Sequence, residues 1–192
     1  IQLTNVYSLL AFADKKENVS NDKPLTFEQL NQGYGYVLYR KHFNQPISGT
    51  LDLTGLRDYA TIYVNGEKVG ELNRYHKNYT MPIEIPFNAT LEILVENWGR
   101  INYGAKIIEN TKGIVLPVKI DDVELTGDWE MVKLPFDTEM LNPSKFVKLT
   151  SKQIGEQKNL PVLYQGEFTL NEVGDTFFDM RDWGKGLVFI NG

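Results

Sequence analysis

Three motifs occur twice in this chain, in the same order and at nearly the same spacing. Val37-Leu38-Tyr39 followed by Phe43 returns as Val162-Leu163-Tyr164 followed by Phe168. Leu56-Arg57-Asp58-Tyr59 returns as Met180-Arg181-Asp182-Trp183, and Ile62-Tyr63-Val64-Asn65-Gly66 as Val188-Phe189-Ile190-Asn191-Gly192. The separations are 125, 124 and 126 residues. A repeat of that length is one folding plan used twice. Each copy holds an apolar, aromatic-flanked strand, a bend at Arg-Asp and a hairpin turning on Asn-Gly, the strongest short hairpin signal. In the first copy the Asn-Gly turn precedes several further strands; in the second it coincides with residue 192. The expectation is one whole unit and an incomplete second one.

The strands of the first unit are legible from alternation and punctuation. Leu91, Ile93 and Val95 alternate with Glu92, Leu94 and Glu96, which predicts a strand with one almost wholly apolar face. Further strands are predicted at 36–43, 49–53, 59–64, 68–73, 79–85 and 113–120, with a finishing hairpin over 121–135 and Trp129 as a core plug. Residues 6–12 form an apolar segment, and Thr26 with Gln29 has capping-box spacing, which predicts a short helical turn. Residues 136–157 alternate weakly and read as a link, with one helical turn at 138–141. Short strands with turns between them, and almost no helical periodicity, predict an all-β sandwich. The expected division is a first sandwich over 1–135 with a lead-in at 1–32, a linker at 136–158, and the beginning of a second, truncated sandwich at 159–192.

Composition excludes several functions. The chain has no cysteine and two histidines, His42 and His76, so thiolate chemistry and a multi-histidine metal site are both ruled out. Net charge is −5 and the basic residues are scattered, which argues against nucleic acid as a partner. The densest basic cluster, Arg74, His76 and Lys77, reads as a solvated face. No apolar run approaches the roughly 20 residues of a membrane span.

The chemistry-bearing stretch follows the 91–96 strand. Trp98, Arg100, Asn102 and Tyr103 put aromatic and polar groups on one loop, the mixture that sugar sites use; the same side chains could instead pack the loop against another domain. Glu96 is the most tempting single carboxylate, although pairing with Arg100 or with backbone explains it as well. Glycosidases need two carboxyl groups about 5–9.5 Å apart, and no motif here places such a pair. Asp58 and Asp182 read as a structural bend used twice. Asp121-Asp122 reads as a hairpin turn as readily as a calcium contact. No catalytic residue, cofactor site or metal site is expected.

GYGYVLYR at 33–40, LRDYATIYVNG at 56–66, VENWGRINYG at 95–104 with Lys112-Gly113-Ile114, and DTFFDMRDWGKGLVFING at 175–192 resemble the region after the catalytic barrel in glycoside hydrolase family 35 β-galactosidases. The resemblance covers residues 25–192. It implies jelly-roll-type, galactose-binding-like β-sandwiches in a retaining exo-β-galactosidase whose two catalytic glutamates lie on a barrel that nothing here matches. It further implies the catalytic barrel of the same chain as partner, a possible galactoside contact, and an extracytoplasmic setting (periplasmic, secreted or lysosome-like). An autonomous carbohydrate-binding module and a purely structural or oligomer-forming sandwich are the alternatives.

Overall fold

The computed structural model describes residues 2–150, 152–153, 160–183 and 186–191. In chain order the strands are β1 (Gln2–Ser8), β2 (Val19–Asn21), β3 (Tyr36–Phe43), β4 (Ile47–Asp52), β5 (Leu56–Arg57), β6 (Tyr59–Val64), β7 (Glu67–Asn73), β8 (Thr80–Ile85), β9 (Ala89–Glu96), β10 (Gly113–Ile114), β11 (Lys119–Ile120), β12 (Val123–Glu124), β13 (Trp129–Leu134), β14 (Val147–Lys148) and β15 (Val162–Glu167); the α-helix α1 (Leu9–Ala13) follows β1. The fold is all-β, as the strand pattern and resemblance predict.

A six-stranded antiparallel sheet, ordered β2-β13-β3-β9-β6-β7, carries the molecule. Its inner strand β9 is paired on both sides: Ile93 lies between Tyr39 of β3 and Ile62 of β6. The β6–β7 hairpin turns on Asn65 and Gly66, both at positive φ (51° and 77°), the backbone that an Asn-Gly turn requires. A second sheet, β12-β11-β4-β8, covers one face. Between the two lie Val37, Tyr39, Ile62, Leu91, Ile93, Val95 and Met131 with Leu51, Ile83, Ile85 and Ile120. Trp129 is fully buried there and donates Nε1–H to the Leu125 carbonyl at 2.8 Å, so the expected plug is in place with its one polar group satisfied.

The other face of the large sheet is buried too, which the alternation of β9 did not announce. Leu38, Tyr63, Leu94, Val132 and Leu134 pack against Tyr7, Leu9, Phe12 and Ala13 of β1 and α1, and against Met140. Leu94 is 3% exposed and Glu92 6%. The apolar run at 6–12 is thus part strand and part helix. Ser8 caps α1, its Oγ accepting from Ala11 N at 3.3 Å. The Thr26–Gln29 box forms as expected, Thr26 N donating to Gln29 Oε1 and Gln29 N to Thr26 Oγ1. The turn at 138–141 also forms, closed by Leu141 N on the Asp137 carbonyl at 3.0 Å.

Two expected strands differ. The predicted 113–120 strand is split into β10 and β11, which join different sheets around Pro117, a residue with no ladder donor. The strand that the repeated Val188-Phe189-Ile190 implies does not form, and no strand follows Glu167 among the described residues. Its first-copy counterpart, β6, is held between β7 and β9, and the described second copy has no strands in those places. The motif alone does not make a strand without neighbours. What the second copy does form, β15, pairs with β1 in a three-stranded sheet, β14-β1-β15, with Val6 opposite Tyr164. No helix among the described residues is long and apolar enough to cross a membrane.

Candidate functional site

The chain leaves β9 at Asn97 and does not rejoin a sheet until Gly113, so residues 97–112 form one long loop. Its first residues are tied at once. Asn97 donates its backbone N–H to the Gly35 carbonyl at 3.2 Å and its Nδ2 to the Gly33 carbonyl at 3.0 Å, while its Oδ1 accepts from Gly99 N at 2.8 Å. Gly99 sits at φ 93°, open to glycine but costly for other residues. Trp98 stacks one ring face on Tyr59, centroids 5.6 Å apart and planes at 24°.

Asp58 holds the base of this loop. It is 5% exposed, and its carboxylate accepts from three separate segments: Lys112 Nζ at 2.6 Å and Trp98 N at 3.1 Å on Oδ2, and Arg74 Nη1 at 3.1 Å on Oδ1. Lys112 is 3% exposed, so the Asp58–Lys112 pair is buried. Loss of one partner from such a pair typically costs about 3–5 kcal/mol, because the other charge stays buried without its counterpart. Arg74 stays partly solvated, its side chain 41% exposed, while one guanidinium nitrogen reaches Asp58; His76 and Lys77 are exposed. In the second copy Asp182 is exposed, and Arg181 pairs with Asp179. The repeated Arg-Asp is thus a hub in one copy only.

A second carboxylate, Glu28 on the capped turn, accepts from the Arg100 guanidinium and from Lys112 N, at 3.2 Å to each oxygen. Burial alone would raise the Glu28 carboxyl, but hydrogen bonds from its own backbone, from Arg100 and from Lys112 together hold it below its ordinary value. Arg100 also donates to the Asn110 carbonyl at 2.8 Å, and Ile101 N donates to Asn110 Oδ1 at 3.0 Å, which ties the start of the loop to its end.

The four residues singled out by sequence thus share a loop but not a role. Arg100 is spent internally on Glu28 and Asn110. Trp98 is fixed from below and 44% exposed, and Tyr103 is 90% exposed at the tip with the exposed Asn102 beside it. Ile101, Ile107 and Ile108 are also exposed, Ile108 at 91%. A rigid base under a wet apolar tip suits contact with another surface. Glu28, held by the Arg100 guanidinium and the Lys112 N–H, is stabilised as an anion. The residues that sequence reasoning missed are Asp58 as hub, Glu28 and Lys112. Lys112 entered the sequence reading only within a resemblance motif, and its pairing with Asp58, 54 positions away, had no local signal.

Elsewhere, a cleft of about 600 Å³ opens on the large sheet beside α1, lined by Asp14, Arg40, His42, Glu92 and Glu130 among others. Its central groups satisfy one another: Arg40 Nε donates to Glu92 at 3.0 Å, Arg40 Nη2 to Asp14 at 2.6 Å, and Gly66 N to Glu92 Oε2 at 3.0 Å. Asp121 takes a turn conformation at φ 52° and accepts from Thr50 N at 2.8 Å, a hairpin role. No group of three or more metal-ligating side chains occurs among the described residues.

Comparison with known proteins gives two family matches: the first all-beta domain of beta-galactosidase over residues 24–135, and the galactose-binding domain of beta-galactosidase over residues 161–192. A beta-galactosidase of Xanthomonas manihotis is 37% identical over 175 residues, covering 91% of this chain and 28% of the relative. Beta-galactosidase 17 of Arabidopsis thaliana is 32% identical over 216 residues, covering 98% and 30%. The beta-galactosidase of Homo sapiens is 36% identical over 188 residues, covering 88% and 27%. The chain spans about 30% of the length of these relatives.

Proposed function

The chain belongs to the β-galactosidase family by its all-β domains, and from that premise we propose that it is the non-catalytic β-sandwich region of a retaining exo-β-galactosidase of the family 35 type. On this reading it braces the catalytic barrel of the same polypeptide and borders the substrate entrance with loop 97–112. Residues 1–135 and 159–192 are its two units, 136–158 links them, and β1 reaches across to the second unit's sheet. The setting is extracytoplasmic, and the catalytic carboxylates belong to the barrel.

One observation carries this reading: the loop is pinned at its base by Asp58 and Glu28, yet its tip exposes Tyr103, Ile107 and Ile108 to water. Exposed apolar side chains on a rigid stem pay off when a partner covers them. The test is to titrate the purified chain onto the separately produced catalytic domain of the same polypeptide. Association is expected, and Tyr103→Ala with Ile108→Ala should weaken it at least about tenfold, the loss of roughly two apolar anchors. No association, or association indifferent to both substitutions, would refute the bracing role.

An autonomous carbohydrate-binding module is the second reading, favoured by the 44% exposure of Trp98. Galactose at millimolar concentration is expected to leave Trp98 fluorescence unchanged. A saturable response abolished by Trp98→Ala would establish the module instead. The chain by itself is expected to leave a chromogenic β-galactoside intact.

A further inference from the structure

Asp58 and Tyr59 are consecutive, and each holds Trp98 in a different way. The Asp58 carboxylate takes the Trp98 backbone N–H at 3.1 Å, and the Tyr59 ring stacks under the indole. Together they fix both the origin and the plane of a ring that is stacked on one face and remains 44% exposed. Burial keeps the carboxylate with its donors, which come from three separate segments of the chain. We propose that Asp58 is a positioning residue for the substrate's leaving-group side: it sets the exposed part of the Trp98 indole where the C–H face of a sugar ring beyond the galactosyl unit stacks. This inference rests on the reading of loop 97–112 as the border of the substrate entrance. It adds a substrate preference to that reading, for a galactosyl oligosaccharide over a galactoside with a small aglycone.

Two variants separate the pin from mere stability. Asp58→Asn with Lys112→Met keeps a side-chain carbonyl for Trp98 N–H and leaves no buried charge unpaired. Asp58→Ala with Lys112→Met removes the carbonyl and likewise leaves no unpaired buried charge. In this chain, with Trp183→Phe, acrylamide reads Trp98 alone, since Trp129 is fully buried. The alanine pair is expected to raise quenching of Trp98 about twofold or more, and the asparagine pair to match the parent. Equal quenching in the two pairs overturns the positioning role, whatever the loop does in the enzyme.

The same pairs in the full polypeptide test the role toward substrate. For a β-linked galactosyl trisaccharide, Trp98→Ala and the alanine pair are expected to raise KM about threefold or more with little change in kcat, while methyl β-galactoside is unaffected. If Trp98→Ala leaves the trisaccharide KM unchanged, the loop does not border the entrance and the proposed entrance role fails. If Trp98→Ala raises it but the two pairs behave alike, the entrance role stands and the Asp58 inference fails.

Discussion

Leu94→Ala distinguishes the two-sided burial of β9 from the one-sided strand that its alternation predicts. If Leu94 faced water, its truncation would change stability by no more than about 0.5 kcal/mol. In the structure it is 3% exposed, paired with Leu38 and Thr61 across the sheet, and packed among Tyr63, Val132 and the residues of α1. Three buried carbons are lost. At about 0.8 kcal/mol per buried carbon group the transfer part is about 2.4 kcal/mol. The cavity left between two stiff sheet strands and a helix adds to it, giving about 3–4 kcal/mol, within the span of about 2–5 kcal/mol for core Leu→Ala changes. For a chain of this size that lowers the melting temperature by about 6–16 °C. Urea unfolding followed by fluorescence of the buried Trp129 measures it, with Trp98→Phe and Trp183→Phe in the background to remove the exposed indoles. A midpoint shift equivalent to less than about 1 kcal/mol, with m unchanged, would mean that β1 and α1 do not cover this face.

Two other outcomes follow from the site. The Glu28 carboxyl titrates below its ordinary 4.5 when folded, so its stabilising contribution is present above about pH 4.5 and is lost as pH falls through the lower folded value. The melting-temperature advantage of the parent over Glu28→Gln should therefore be constant from about pH 6 to 7 and shrink progressively as the pH falls below about 4.5; an advantage unchanged at the acid end refutes the network. Gly113 lies at φ 97°, where an added Cβ would stand 2.5 Å from the Tyr39 hydroxyl, so Gly113→Ala should destabilise by about 1–3 kcal/mol in the same urea assay. The Tyr39 hydroxyl donates to the Leu25 carbonyl at 2.8 Å, and a neutral result would mean that this bond does not hold it in place.

What the sequence made legible is what is local. Residues 36–43 and 59–64 are strands end to end because alternation, the Asn-Gly turn and the Gly33–Gly35 break all act within a few positions. Trp129 as a plug follows from its size alone. The second apolar face escaped notice because its cover, Leu9 and Phe12, lies about 80 positions before Leu94, and one leucine among glutamates looks like a solvent face until that cover is known. Asp58 escaped for the same reason: its donors lie 16, 40 and 54 positions away. The Val188–Gly192 motif misled in the opposite direction, since it repeats the strand sequence of β6 without the neighbours that hold β6. Tertiary pairing, which no window of sequence contains, decided each case.

Within this sequence the middle strand of the three-stranded sheet, β1, precedes both of its neighbours by well over a hundred residues. Val6 meets Val147 and Tyr164, 141 and 158 positions later. In equilibrium terms that distance is cheap: closing 158 residues instead of the 54 that separate Tyr39 from Ile93 adds only about 1 kcal/mol of chain entropy. In time it is long. At about 5–20 residues per second, β1 leaves the ribosome roughly 8–30 seconds before β15 exists. Through that interval the large sheet can assemble, but β1 has two bare edges, the condition under which strands pair with the wrong chain. Completion of this three-stranded sheet therefore waits for the ribosome to reach residue 167, and a holdase that shields residues 2–8 through that interval would protect both bare edges.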